Sequence, residues 1–209
     1  MKSCASVLLA CGLFALLPAC AADKKMAVEV DAFPELLSHP PAKDDGEIVY
    51  GTCAQIKAKR VSELPVPWRD AIARIDLTCK DLSGEESGYG EATASTEVVA
   101  ILKPGAITFA TLPVVEIRMK DSELWGDHQF IIDLPFAQAR PALKRYMQAT
   151  CGLSEDALRN APETDCTVEP APGRSADSLY APTGEISSIW AHADESDPRR
   201  TVYADAWSD

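Results

Sequence analysis

Basic residues are scarce in this sequence. Across 209 residues, 20 Lys+Arg stand against 32 Asp+Glu, a formal net charge of −12. Nucleic-acid recognition needs a Lys/Arg surface for phosphates, so the composition argues against it. Docking on anionic lipid by charge alone fails for the same reason. Histidines are fewer still: His39, His128 and His192 are the whole set. A serine-type hydrolase needs a nucleophile, a base and an orienting group, yet no G-x-S-x-G elbow and no S-x-x-K occurs. There is no Cys-x-x-Cys, and no His stands at ligand spacing from a Cys, which argues against zinc. Gly84, Gly88 and Gly90 lie in polar sequence and open no apolar helix, so they form no phosphate loop. Asp194, Glu195 and Asp197 lack the spacing of an EF-hand loop. No metal, no cofactor and no catalytic residue is expected. Internal repeats are absent, and past the first twenty residues no apolar run reaches the roughly 20 needed to cross a bilayer. Hydrophobic residues at 46% and charged residues at 25% are nonetheless ordinary for a globular chain.

The N-terminus carries the clearest signal. Lys2 precedes an apolar run from Ala5 to Leu17, about thirteen residues, the length of a signal-peptide core. Leu17-Pro18-Ala19-Cys20 resembles a bacterial lipobox. That resemblance implies that Cys20 is lipidated and becomes the mature N-terminus. With Ala21 in the next position, it also implies a periplasm-facing outer-membrane lipoprotein where the host has two membranes. A second reading is Ala19-Cys20-Ala21 as an A-x-A-like site for ordinary signal peptidase, giving a soluble periplasmic or secreted protein. Cleavage before Cys20 removes one lysine and no acid, so the exported chain is more acidic still.

Seven cysteines occur. Cys4 and Cys11 leave with the signal peptide. If Cys20 is lipidated, Cys53, Cys79, Cys151 and Cys166 remain, an even set that suits a disulfide framework in an oxidising compartment. Four cysteines allow three connectivities, and sequence proximity favours Cys53–Cys79 and Cys151–Cys166.

Residues 20–46, with Pro34, Pro40, Pro41 and Asp44-Asp45-Gly46, read as a lipid-anchored tether with at best one short turn at Glu35–Leu37. Residues 47–209 read as one globular domain. Pro67-Trp68-Arg69-Asp70 opens a helix expected to run to Cys79-Lys80, with Trp68, Ala71, Ile72 and Ile75 on one face. Residues 81–95 read as a loop. A β-pattern follows. Strands are expected over Thr96–Leu102, Ile107–Ala110, Val114–Met119 and Gln129–Leu134, with Val115, Ile117 and Met119 alternating against Glu116, Arg118 and Lys120. Phe136–Thr150 reads as a helix whose first turn holds Pro141. Residues 152–184 are loop-rich, with a short helix allowed at Glu155–Arg159. Ile186–His192 and Thr201–Trp207 form a hairpin around Asp194–Pro198. The expected fold class is α+β: an antiparallel sheet of about five to seven strands with one or two helices packed on one face, braced by disulfides.

The aromatic and acidic loops supply the binding candidates. Trp125 stands between Glu123 and Asp127 in an expected inter-strand loop, and Trp is a common interface anchor. Asp194 and Glu195 add acid at the hairpin turn. His128 and His192 read as strand-end histidines, and Trp190 and Trp207 as packing residues. The sequence therefore suggests an exported binding protein without catalysis, steered by its acidity toward a cationic envelope or secreted partner. An inhibitor or immunity protein against a cationic cell-wall hydrolase shares this general plan. A structural or assembly lipoprotein that binds another envelope protein is the alternative, and a cell-wall hydrolase using a carboxylate pair is a third reading.

Overall fold

The computed structural model describes residues 27–35, 37–39, 52–83, 93–122, 125–151, 168, 178–183 and 187–208. The described strands are β1 (Val28–Val30), β2 (Ser38–His39), β3 (Lys57–Ala58), β4 (Ile72–Leu82), β5 (Thr93–Leu102), β6 (Ile107–Phe109), β7 (Leu112–Asp121), β8 (Trp125–Ile132), β9 (Ser178–Pro182), β10 (Ser187–Ala193) and β11 (Thr201–Ser208). The helices are α1 (Trp68–Ala71) and α2 (Phe136–Cys151). Nine strands form one curled sheet, in which seven run in the order β1-β6-β7-β8-β11-β10-β9. The β4–β5 pair joins the same edge of β7 that β6 uses, because β6 pairs only Leu112–Val114 and leaves Glu116–Asp121 to β5.

Strand pairing is antiparallel except at β1, which runs parallel to β6 with Val28 opposite Ile107 and Val30 opposite Phe109. The sheet is therefore mixed, where a purely antiparallel one was expected. The reason lies in the arm. Residues 27–39 were read as part of a tether, yet Val30 and Leu37 are buried in the core and Phe33 packs against it. Three apolar side chains spaced along the arm release more free energy on burial than a mobile segment retains in chain entropy. Residues 20–26 and 40–51 lie outside the described residues, as do Glu155–Arg159.

The helix expected from Pro67 to Cys79-Lys80 is four residues long, and the chain then turns into the eleven-residue β4. From Ile75 onward, Ile75, Leu77 and Cys79 alternate with Asp76, Thr78 and Lys80. That period of two lets β4 pair β5 from Ile72 to Leu82, and long-range pairing overrides a weak local helical pattern. The outer edge of β4 is covered by residues 52–64, which the Cys53–Cys79 disulfide and a 2.7 Å hydrogen bond from the Cys53 amide to Asp81 Oδ1 hold in place. Such covering protects an edge from intermolecular pairing. Cys166 and the Cys151 side chain lie outside the described residues.

Helix α2 packs on β9, β10 and β11 through Ala139, Leu143 and Met147, all fully buried. Pro141 falls in the second turn, one turn later than expected, on the exposed side, where the helix tolerates its missing amide donor. The main core lies between α2, the arm and one face of the sheet. The opposite face carries a small cluster of Ile131, Val202 and Ala204, with Val115 and Trp190 against it. Val115 reaches that face because the β7 register shifts between Val114 and Glu116, a bulge that leaves Val114, Ile117 and Met119 together on the core side. Among the described residues no helix is long and apolar enough to cross a membrane.

The β6–β7 turn is strained. Ala110 and Thr111 sit at φ +50° and +66°, where side-chain-bearing residues are disfavoured. The arm's Glu29 holds this turn, since its carboxylate accepts the Thr111 amide at 2.8 Å and the Thr108 hydroxyl at 2.5 Å. Asn-Gly prefers such left-handed two-residue turns. The pair Ala110→Asn/Thr111→Gly is expected to raise stability by about 1 kcal/mol in urea denaturation, because the Glu29 contacts use the backbone of 111 and the side chain of 108. A loss of stability would show that the left-handed residues are not strained.

Candidate functional site

Strand register builds one face of a pocket from residues far apart in sequence. On β8 and β11, His128 stands opposite Asp205 and Phe130 opposite Tyr203. On β10, Ile189 stands opposite Asp205. Alternation turns all five side chains to the core side. Helix α2 adds Tyr146 and Thr150, four residues apart and so on one helical face. The arm closes the third side with Asp31–Glu35. The resulting cavity is about 530 Å³, within the range of small-ligand sites.

Its walls are aromatic. Phe33 stacks on Phe130 with centroids 4.0 Å apart, and Phe109 lies 4.5 Å from both Tyr146 and Tyr203. Tyr146 and Tyr203 stand nearly perpendicular, at 85° and 5.8 Å. The Tyr146 hydroxyl donates to the Asp31 carbonyl at 2.9 Å and so ties the helix to the arm. Two residues beyond Asp205 on the same strand face, the Trp207 indole lies over Gly126, where a Cβ would collide with it. Gly126 is therefore required by that close approach.

The pocket's charge is negative. Among the described residues Asp31, Glu35 and Asp205 line it, and no Lys or Arg does. His128 Nε2 donates to Asp121 Oδ1 at 2.7 Å, and the Asp121 side chain is only 3% exposed. Loss of water raises the Asp205 carboxyl. The Asp127 charge adds to that effect, and His128 opposes it. Burial raises the Tyr203 hydroxyl far above its ordinary range, with Tyr146 and Asp205 contributing, and burial likewise raises Tyr146.

The residues singled out from the sequence lie elsewhere. Trp125 opens β8 and is 37% exposed, and with Asp127 it belongs to the face opposite the pocket. Asp127 is half-buried: Oδ2 accepts from Gln129 at 2.8 Å, Oδ1 is buried without a hydrogen bond, and burial raises its carboxyl. Asp194 is 3% exposed, too buried for a contact residue. It accepts from the Ser196 hydroxyl at 2.7 Å, the Ser196 amide at 2.9 Å and Arg118 Nη2 at 3.3 Å, and so fastens the hairpin turn. Burial pushes its carboxyl up, but the Ser196 bonds and Arg118 outweigh that and hold it low. Glu195 is exposed, and Glu123 lies outside the described residues. Trp125 pairs Ser208, whereas the 193–201 turn sits beside Ile132. Seven strand steps, roughly 23 Å, separate the two groups, so they form no single patch.

The carboxyl shifts predict a pH dependence. Asp127 and Asp205 are raised above their ordinary value of 3.8, so the folded chain binds protons there that the unfolded chain has released. Stability from these two groups rises as pH falls through the window just above 3.8. Asp194 is lowered, so its contribution is present above 3.8 and lost below it. Urea midpoints measured from pH 7 down to 4 are expected to rise in the native chain and to flatten in Asp127→Asn/Asp205→Asn. An equal rise in that variant would place the proton uptake on other groups.

His128, Asp205, Tyr203, Tyr146 and Phe33 were all missed as site residues. A signal was present: Thr201, Tyr203, Asp205 and Trp207 share one strand face, and an acid on an otherwise aromatic face marks a wet cavity. Comparison with protein-family models, with curated proteins and with solved structures finds no match for this chain.

Proposed function

We propose that this protein is an exported, lipid-anchored binding protein of the bacterial envelope. It acts without catalysis and receives a cationic partner in the pocket between the arm, α2 and the sheet. The observation that carries this reading is the pocket itself, a 530 Å³ cavity with aromatic walls, three carboxylates and, among the described residues, no Lys or Arg. It supports the partner chemistry expected from the net charge of −12, since exposed acids gathered at one opening add their fields and attract a cation. An inhibitor or immunity protein against a cationic cell-wall hydrolase fits this arrangement. Its anchor would be Cys20. Eight residues separate Cys20 from Val28, so the chain spans at most about 28 Å between lipid and sheet, and the pocket is held close to the membrane.

The test is a cell-wall hydrolysis assay with a basic muramidase and the full-length chain in maltoside micelles. Inhibition that weakens with salt, and weakens again in Tyr146→Leu, is the expected result. Turnover of cell wall by the chain alone, abolished by one acid-to-amide change, would replace this reading with a hydrolase. Metabolic labelling with palmitate, lost in Cys20→Ala, tests the anchor.

A further inference from the structure

We propose that the sheet edge at the start of β1 lies on the lipid surface, so that the domain stands on the membrane by one side. This depends on the lipid-anchor reading above and adds the orientation in which the anchor holds the fold.

The edge is built where three segments meet. β5 and β6 pair successive stretches of β7 on the same side, and residues 103–106 leave the sheet between them. The Lys103 amide donates to the Ala71 carbonyl at 2.8 Å, and the Val28 amide donates to the Ala106 carbonyl at 2.9 Å. Helix α1 therefore flanks this turn on one side and the start of β1 on the other. Lys103 Nζ crosses to the Asp70 carbonyl at 2.7 Å and ties turn to helix. The chain that leads back to Cys20 enters the fold here, at Val28.

What this edge presents is apolar. Three large hydrophobic side chains are exposed among the described residues, and two of them are Val28 at 40% and Val66 at 62%. Pro65 beside Val66 and Pro104 on the turn are exposed as well. Its charge also departs from that of the chain. Arg69 and Lys103 balance Glu29 and Asp70, so the edge is neutral in a chain of net charge −12. Lys24 and Lys25, between Cys20 and Val28, add positive charge. An anionic lipid surface repels the acidic faces and does not repel this one.

The tether decides the occupant. Cys20 lies eight residues before Val28, so an acylated Cys20 keeps the edge within about 28 Å of the bilayer. At that reach the effective concentration is on the order of millimolar. A contact of two valines and two basic side chains, too weak to recruit a free protein, is then populated. With β1 lowest, the order β1-β6-β7-β8-β11-β10-β9 leads away from the lipid, through six strand spacings or roughly 29 Å along the curled sheet. Helix α2, packed on β9, β10 and β11, stands on the water side.

The experiment takes the full-length chain, recovered from bacterial membranes, into vesicles of phosphatidylethanolamine and phosphatidylglycerol carrying a doxyl quencher near the headgroup. Val66→Trp places a reporter on the edge, and Ser208→Trp, exposed at the far end of β11, places one away from it. Difference emission against the native chain isolates each added indole. Val66→Trp is expected to be blue-shifted and quenched, and Ser208→Trp to be neither. Adding Arg69→Gln to Val66→Trp should weaken the contact about fivefold in these anionic vesicles and leave it unchanged in phosphatidylcholine. Flotation of the chain with the vesicles, lost in Cys20→Ala, reports the anchor separately. A chain that floats while Val66→Trp is quenched no more than Ser208→Trp overturns the edge contact and leaves the anchor standing. A chain that does not float overturns both.

Discussion

Phe130→Ala is expected to destabilise the protein by about 4 kcal/mol and to empty the pocket. Phe130 has no exposed surface and touches Phe33 at 4.0 Å, Phe109 at 4.8 Å and Trp68 at 6.4 Å between centroids. It therefore joins the arm, the sheet and the 52–71 segment. Truncation removes a large buried side chain and leaves a void that three separate segments cannot all close. For a chain of this size, 4 kcal/mol corresponds to a fall in Tm of roughly 8–16 °C, read by near-UV circular dichroism. Ile131→Ala is the control. Ile131 is equally buried but packs on the opposite face with Val202 and Ala204. It should lower stability and leave inhibition of the basic muramidase unchanged, whereas Phe130→Ala should abolish inhibition at temperatures where the variant is still folded. A loss below about 1 kcal/mol at Phe130 would mean that the arm does not depend on it.

What the sequence disclosed, and what it hid, follows from the range of the interactions. β5, β7, β10 and β11 were readable because their alternation is local and each strand is wet on one side. The β10–β11 hairpin was readable down to its turn at Asp194–Pro198. The phase of β7 was only partly readable. Val115 was expected to share a face with Ile117 and Met119, but the bulge at Val115 shifts it across the sheet, and one inserted residue leaves no trace in periodicity. The helix from Pro67 failed because Ile72 and Ile75 stand at a helical spacing of three, and it is the register shift at Ile72/Arg74 in the pairing with β5 that brings both to one face of a strand. The arm was hidden by its composition. Pro34, Pro40 and Pro41 read as linker, while Val30, Phe33 and Leu37 are too sparse to signal burial until a groove is there to receive them. The site was least legible of all. Asp31, His128, Tyr146 and Asp205 come from four segments, and the acidic loops that stood out in the sequence mark turns that solvate or fasten the sheet.

Breaking the Cys53–Cys79 disulfide should cost about 3.5 kcal/mol. The bridge closes a 26-residue separation, and the loop-closure entropy restored to the unfolded chain on reduction gives that magnitude. The loop contains α1, the Val61–Glu63 turn and β4 up to Cys79, so the bridge also fixes the 52–64 segment along the strand's free edge. Two consequences separate here. Cys53→Ala/Cys79→Ala should lower Tm by roughly 7–14 °C, and the Asp81 bond to the residue 53 amide should persist, since it uses backbone. The same variant should also associate more readily on prolonged incubation, because release of the segment uncovers the edge of β4. The segment also holds the arm, since Lys57 and Ala58 pair His39 and Ser38, the Lys59 amide donates to the Leu37 carbonyl at 2.9 Å, and the arm lines the pocket from Asp31 to Glu35. The disulfide variant should therefore loosen the arm and weaken inhibition of the basic muramidase even below its melting temperature. Unchanged inhibition would show that the arm keeps its place without the bridge, and unchanged stability would show that the segment holds to β4 without it.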